Sequence, residues 1–339
     1  MKNKSNILTL IFVCFLAVTL GVIGGLSIQH RLPPDSHSDS IRNLSNISYK
    51  TGDGRSGNLS LPDSLSGLEP RTRVTLYATL QAQPGESLFV KSVFAPLRLY
   101  VNDTLFYEYG QEGTYPDYMN DPPTGIGMVR LPEEGGSFDL RVEYQSLTQR
   151  DTLSLPVISI GDDSAIISAL FHREGFSLLF SLILIFIGIA MALISLTFVR
   201  KLPAGTSFLW LGLFSLSAGV WVLGESDLTS FILPYPSLLY AMAYMGLFCM
   251  NIPFLLFGLV VLKPKNKLPF RLVLWIHTLS VAVAFLLQLM GIMDFTRSLY
   301  WFHFIAPLGF VTFGAFQTPQ SHCKTLCSGD YIACGLHLT

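Results

Sequence analysis

The chain has 339 residues, of which 50% are hydrophobic and only 13% charged, with a mean hydropathy of +0.47 and a net charge of −1. A soluble globular chain carries about 25% charged residues, and a nucleic-acid-binding chain carries a basic footprint. The composition therefore excludes an ordinary soluble domain and any nucleic-acid partner, and it makes a lipid bilayer the first expected partner.

In chain order, residues 7–28 form an apolar run behind Lys2 and Lys4. It is longer than the apolar core of a typical signal peptide, so it reads as a signal anchor over residues 1–28. Residues 29–68 are rich in Ser, Asn, Asp and Gly and read as a linker holding at most one strand. Residues 69–172 read as β. Strands are expected at 73–80, 87–94, 97–101, 104–109, 138–144 and 153–160, with an Asn102-Asp103 hairpin turn and clean alternation over 138–144. Short strands at this spacing predict a β-sandwich. Residues 163–171 read as a short helix leading to the membrane.

A transmembrane module follows over residues 173–316, with about five spans at 176–199, 207–224, 237–262, 270–290 and 299–316. Each approaches the ~20 apolar residues that cross a hydrocarbon core. Pro234 and Pro236 place the third start after them, and Pro253 predicts a kink within it. Positive residues follow one side: Lys2 and Lys4, then Arg200 and Lys201, then Lys263, Lys265, Lys267 and Arg271. The intervening loops carry Glu225, Asp227 and Asp294. The positive-inside rule then puts residues 29–175 outside and the C-terminus in the cytoplasm. Glu225 and Asp227 are expected to be hydrated at a span end. His277 and His303 are expected to hydrogen-bond from helix to helix rather than to carry protons, and Asn251 with Pro253 to interrupt its span. Cys14 and Cys249, within apolar runs, read as packing residues.

Four segments carry a resemblance: LRLYVNDTLFYEYG (97–110), PPTGIGMVRLP (122–132), FDLRVEYQS (138–146) and ISIGDDSAIIS (158–168), with WVLGESDL (221–228) closing the next span. Together these resemble the bacterial seven-transmembrane receptors with diverse intracellular signalling modules, in the subgroup that usually ends in a GGDEF diguanylate cyclase domain. The resemblance covers roughly residues 71–316. It implies a jelly-roll outer domain of galactose-binding type, a membrane module that relays a signal to a cytoplasmic enzyme or kinase, a bacterial cytoplasmic-membrane location and a homodimer. It also implies seven spans after the outer domain, where five are read here. The segment 314–339, GAFQTPQSHCKTLCSGDYIACGLHLT, resembles no receptor helix, and no GGDEF or kinase motif occurs. Residues 317–339 are therefore expected to be a disordered or out-of-frame tail of a truncated receptor, and the chain is expected not to be an enzyme.

That tail holds His322, Cys323, Cys327, Cys334 and His337, which are zinc-type ligands. Their spacing fits no strong zinc pattern, so no metal and no cofactor is expected. The candidate ligand site is a Gly/Pro-rich loop after a strand: Tyr107, Tyr109, Tyr115, Asp117, Tyr118, Asp121 and Arg130. Aromatic faces beside carboxylates suit a glycan or another small molecule, while the alternative is that Tyr107 and Tyr109 only pack the sheet edge. The expected function is an extracytoplasmic sensor, with the receptor half of a histidine kinase or a transporter-type protein as alternatives. Against a transporter, the spans lack paired charges and an inverted repeat. Against a membrane enzyme, no GxSxG, HExxH or paired-carboxylate constellation occurs.

Overall fold

The computed structural model describes residues 41–198, 205–264 and 266–315. The expected anchor at 7–28, the cations Lys2, Lys4, Arg200, Lys201 and Lys265, and the tail at 317–339 lie outside the described residues. What is described is an antiparallel β domain followed by helices, so the expectation of mixed sheet and helix holds.

Twelve strands form: β1 (Arg42–Asn43), β2 (Asn46–Thr51), β3 (Ser56–Ser60), β4 (Asp63–Leu65), β5 (Arg73–Ala82), β6 (Ser87–Ser92), β7 (Leu97–Val101), β8 (Thr104–Tyr109), β9 (Gly125–Arg130), β10 (Gly136–Gln145), β11 (Leu153–Leu155) and β12 (Ser159–Gly161). They pair as one sheet in the order β1-β12-β6-β9, a second in the order β3-β2-β5-β10-β7-β8, and a small β11-β4 pair. The alternation in β10 puts Leu140, Val142 and Tyr144 inward. These meet Leu76 of β5 and Leu99 of β7, and from the opposite sheet Leu88, Val90, Val129 and Ile160, in one buried cluster. A strand with one buried face must alternate in this way. Asn102 and Asp103 take φ of 47° and 61°, the left-handed pair that a two-residue hairpin between twisted strands needs.

Two expectations change. Within residues 29–68, the described part from Ile41 on is not a linker: it supplies β1 to β4, and Ile47, Leu59 and Leu61 join the core. Most of its polar residues occupy outward positions, with Thr51 buried. The strand β9 was not expected from its glycines, which are poor strand formers. Tyr109 and Tyr107 explain them. A Cβ at Gly125 would lie 2.2 Å from the Tyr109 ring, and one at Gly127 would lie 2.5 Å from the Tyr107 ring. The two rings lie across the glycines and join the edge of one sheet to the edge of the other.

Among the described residues, seven helices follow: α1 (Asp163–Phe198), α2 (Gly205–Glu225), α3 (Asp227–Ile232), α4 (Pro236–Cys249), α5 (Asn251–Leu262), α6 (Leu268–Leu289) and α7 (Phe295–Ala315). The expected short helix at 163–171 is the first part of α1, with no break before the apolar run. Among the described residues, four stretches are long and apolar enough to cross a membrane: Asp163–Leu196, Thr206–Glu225, Pro236–Leu262 and Leu268–Leu289. The protein is a membrane protein on that basis. The fifth expected span is also a helix, α7, but it is not among those four; it carries Thr296, Arg297, Ser298 and His303.

The third span is broken at Met250 between α4 and α5. Pro253 has no N–H to give the Cys249 carbonyl, which accounts for the interruption. Pro236 stands at the first turn of α4, where a missing N–H costs nothing. Helix α2 packs against α1, α4 and α5 through glycines. A Cβ at Gly188 would lie 2.8 Å from the Gly212 oxygen, and one at Gly246 would lie 2.5 Å from the Trp221 nitrogen. Small residues allow such backbone approach where no water drives helices together. Of the two histidines expected to bond from helix to helix, His277 does so and His303 does not. The buried Asn251 Nδ2 and His277 Nε2 are 3.3 Å apart, and His277 Nδ1 is 2.9 Å from the Val273 oxygen. His303 bonds within its own helix, its Nδ1 2.7 Å from the Leu299 oxygen.

Candidate functional site

The loop from Gly110 to Thr124 leaves β8 at the sheet edge and returns to β9. It does two things. One side of it walls a cleft, and its tip sits on the ends of α4, α6 and α7.

The cleft measures about 370 Å³ and lies between Tyr107, Tyr109 and Tyr115 on the sheet side and Ser230, Pro236 and Ser237 on the helix side. Tyr109 donates to the Pro123 oxygen at 2.9 Å, and Tyr107 to the Ile126 oxygen at 3.4 Å. Burial pushes the phenols of Tyr107, Tyr109 and Tyr115 up from their ordinary values, so all three are neutral at physiological pH. Tyr115 also lines a second cleft of about 400 Å³ with Asp121, Arg71, Arg98 and Glu112.

The structure divides the seven candidate residues. Tyr107, Tyr109 and Tyr115 share the first cleft, and Tyr115 and Asp121 share the second. Asp121 is buried and accepts from the Thr148 nitrogen at 2.7 Å. Burial holds its carboxyl above the usual carboxylate range, against the opposing effect of the Thr148 bond. Asp117 and Tyr118 are exposed at the loop tip and line neither cleft. Arg130 lies apart from both clefts: it is exposed at the last position of β9, opposite Ser87, five residues from Gly125 and so about 16 Å away along the strand. The single loop site expected from sequence is thus two clefts, a docking tip and one distant cation.

The docking tip was missed. Met119 enters an aromatic cluster with Tyr240, Tyr244, Phe248, Phe295 and Phe302. Phe94, held at a left-handed φ of 56°, meets Tyr240 edge-on at 6.1 Å between centroids. From there Tyr240–Phe295, Phe295–Phe248 and Phe248–Phe302 continue at 5.8, 5.8 and 4.7 Å. The rings run from the sheet domain into the helices without a gap.

Polar bonds surround them. Gln288 Nε2 donates to the Tyr118 oxygen at 2.7 Å and to Asp294 Oδ1 at 3.1 Å. Gln288 Oε1 accepts from the Tyr240 hydroxyl at 2.9 Å and the Phe295 nitrogen at 2.8 Å. Asn120 donates from its backbone to Asp294 Oδ1 at 3.2 Å and from its side chain to the Gly291 oxygen at 3.0 Å. Gln149 Nε2 reaches the Ile292 oxygen at 3.1 Å, and Arg150 reaches the Thr296 oxygen at 2.6 Å. A signal in the sequence was Gln288, an amide at the end of a mostly apolar span.

A second contact corrects the expectation for Asp227. It is not hydrated. It is buried and accepts from Lys91 Nζ at 2.6 Å and from Arg173 Nη2 at 2.8 Å. Beside it, Glu174 Oε2 accepts from the Ser226 hydroxyl at 2.7 Å and the Leu228 nitrogen at 3.0 Å. Lys91 belongs to β6, so this cluster ties the four-stranded sheet to α1 and α3.

No family model and no curated protein matches the chain. Among solved structures it is similar to a β-glucosidase from Kluyveromyces marxianus in complex with glucose, at 17% identity over 38% of this chain and 18% of that one, with a TM-score of 0.25. It is also similar to the GH31 α-xylosidase from Xanthomonas citri, at 10% identity over 40% of this chain and 19% of that one, with a TM-score of 0.24. The matched part spans under a fifth of either enzyme, and overlap of this extent carries no inference about activity.

Proposed function

We propose that this protein is a membrane signal-transduction receptor. In this reading the β domain is an extracytoplasmic jelly roll of galactose-binding type, which takes a small molecule or glycan. The helices relay its occupancy to a cytoplasmic output module, a GGDEF diguanylate cyclase in the family that the sequence resembles, and the working unit is a homodimer in a bacterial cytoplasmic membrane. The chain itself is then not an enzyme.

One observation carries the reading. The loop that walls the 370 Å³ cleft is the same loop whose Tyr118 and Asn120 are hydrogen-bonded to Gln288, Gly291 and Asp294. A ligand that moves the loop must strain or remake those bonds. Sidedness has independent support: the loops meeting the β domain hold Asp227 and Asp294, while the turn between α5 and α6 holds Lys263 and Lys267.

Two cysteine measurements test this. An impermeant maleimide should label Lys50→Cys on intact bacteria and Asn266→Cys only after permeabilisation. A disulfide between Gln149→Cys and Ile292→Cys, which locks the junction, should change the labelling rate at Asn266→Cys. An unchanged rate removes the relay, and reversed sidedness removes the receptor.

A further inference from the structure

We infer that the cleft between the β8–β9 edge and the start of α4 selects an uncharged ring compound bearing hydroxyl donors, and excludes anions and cations of similar size. This rests on the receptor reading and names the ligand class for that same cleft.

Size comes first. About 370 Å³ lies within the roughly 300–1,000 Å³ of small-molecule sites, so the cleft suits one or two rings rather than a polymer. Charge comes second. Among the described residues, Glu108 is the one charged side chain lining the cleft, and it already accepts from Arg98 Nε at 3.0 Å. An anion entering here would meet no cation, and an ammonium group would meet only a carboxylate whose charge is already shared with Arg98. Burying either without a partner is strongly unfavourable.

Hydrogen bonding comes third and is directional. Tyr109 and Tyr107 spend their protons on the Pro123 and Ile126 oxygens, Thr114 spends its proton on the Gln111 oxygen at 2.7 Å, and Ser230 spends its own on the Ser226 oxygen at 3.3 Å. Those four hydroxyls keep only oxygen lone pairs, while the hydroxyls of Tyr115, Thr124 and Ser237, which also line the cleft, keep their protons for a ligand. The cleft therefore suits groups that donate as well as accept, as a ring hydroxyl does, and a carboxylate or phosphate can only accept. Ring faces of Tyr107 and Tyr109, with Pro122, Pro123 and Pro236, supply the apolar contact that a flat or puckered ring needs.

The occupant would also touch both halves of the protein. Ser230 and Ser237 lie in or beside α3 and α4, while the tyrosines lie on the β domain. Filling the cleft adds contacts between them that the empty cleft lacks.

The test does not need the natural ligand. The full chain carrying Thr124→Cys is treated with hydroxyethyl, sulfonatoethyl and trimethylammonioethyl methanethiosulfonate, which differ mainly in charge. The mass of the peptide holding residue 124 is followed, and Ser137→Cys, at an exposed strand start, serves as reference. The neutral reagent should be favoured over each charged one at position 124 by about tenfold more than at position 137, equivalent to roughly 1.4 kcal/mol. Glucose should slow labelling at position 124, and glucuronate and glucosamine should not. Equal charge ratios at the two positions overturn the inference, as does protection by either charged sugar or no protection by glucose. If Thr124→Cys does not fold, Ser237→Cys on the opposite wall takes its place.

The two readings can fail separately. Charge selectivity without any response at Asn266→Cys would keep the ligand class and remove the receptor. A response at Asn266→Cys driven equally by charged reagents would keep the receptor and remove the ligand class.

Discussion

The Gln288 side-chain amide donates to the Tyr118 carbonyl at 2.7 Å, joining α6 to a β-domain loop 170 positions earlier in the chain. The same amide accepts from Tyr240 and the Phe295 nitrogen. Gln288→Leu keeps the bulk and removes four bonds; the Phe295 N–H keeps the Tyr240 oxygen and Asp294 keeps Asn120, but the buried Tyr240 hydroxyl proton and the Tyr118 carbonyl lose their partner. The expected cost is about 2–3 kcal/mol, read as a lower thermal midpoint of the full chain in detergent. A midpoint equal to that of the parent would mean that the junction holds nothing together.

Asp227 bridges Lys91 and Arg173. Arg173 is 59% exposed but Lys91 only 26%, so the Lys91 pair should carry most of the coupling. A double-mutant cycle of Asp227→Asn with Lys91→Met should give an interaction of about 1–2 kcal/mol, and one with Arg173→Met well under 1 kcal/mol. Coupling of equal size in both cycles would contradict this.

The Tyr109 ring occupies the space that a side chain at Gly125 would fill. Gly125→Val should destabilise the β domain by about 2–3 kcal/mol through overpacking. Tyr109→Ala should remove most of that penalty when the two changes are combined. Far-ultraviolet circular dichroism during urea unfolding of the full chain checks it; strict additivity would show that the two residues do not touch.

Helix packing makes a sharper contrast. At Gly246 a Cβ would meet the Trp221 backbone at 2.5 Å, whereas at Gly314 it would meet nothing within 4 Å. Gly246→Ala should lower the thermal midpoint by several degrees, the equivalent of about 2 kcal/mol in a chain of this size. Gly314→Ala should leave it unchanged or slightly raised, because alanine favours helix. Loss of stability in both variants would argue against the α2–α4 approach.

Two carboxylates give opposite pH dependences. Asp121 has its folded pKa raised by burial. Its ionisation therefore disfavours the fold at neutral pH, and the penalty fades as pH falls through the folded pKa. Asp53 is lowered to about 2, chiefly by its bond with Arg55. Its contribution is present above the unfolded value of 3.8 and is lost as pH falls toward 2. Relative to the parent chain, Asp121→Asn should be favoured at pH 7 and lose that advantage on acidification; Asp53→Asn should be disfavoured at pH 7 and converge with the parent at low pH. Thermal midpoints across the range measure both, and the same sign for the two variants would refute the assignment.

The membrane character, the β domain ahead of it and most of the helix limits were legible because they rest on local pattern. Period-two alternation puts Leu140, Val142 and Tyr144 on one face, and runs near 20 apolar residues have few other homes. Pro236 and Pro253 marked a start and a break because proline acts on its own backbone. The strand at Gly125–Arg130 was not legible, since its glycines make sense only once the Tyr107 and Tyr109 rings from another strand lie over them. Strands β1 to β4 were hidden in a polar stretch whose partners lie far along the chain, such as Ile160 for Arg42.

For the site, sequence proximity gathered Tyr107 to Arg130 into one group. Only the tertiary structure could split it, because a strand carries Arg130 away from Gly125 while the chain brings Ser230 and Ser237 back to the same cleft. Gln288, Asp294 and Asp227 were each visible as polar residues at span ends. Their partners Tyr118, Asn120 and Lys91 are more than 130 residues away. Local composition determined that this chain enters a membrane behind a β domain. Long-range hydrogen bonding and ring packing, which no local pattern encodes, decided how the two are joined.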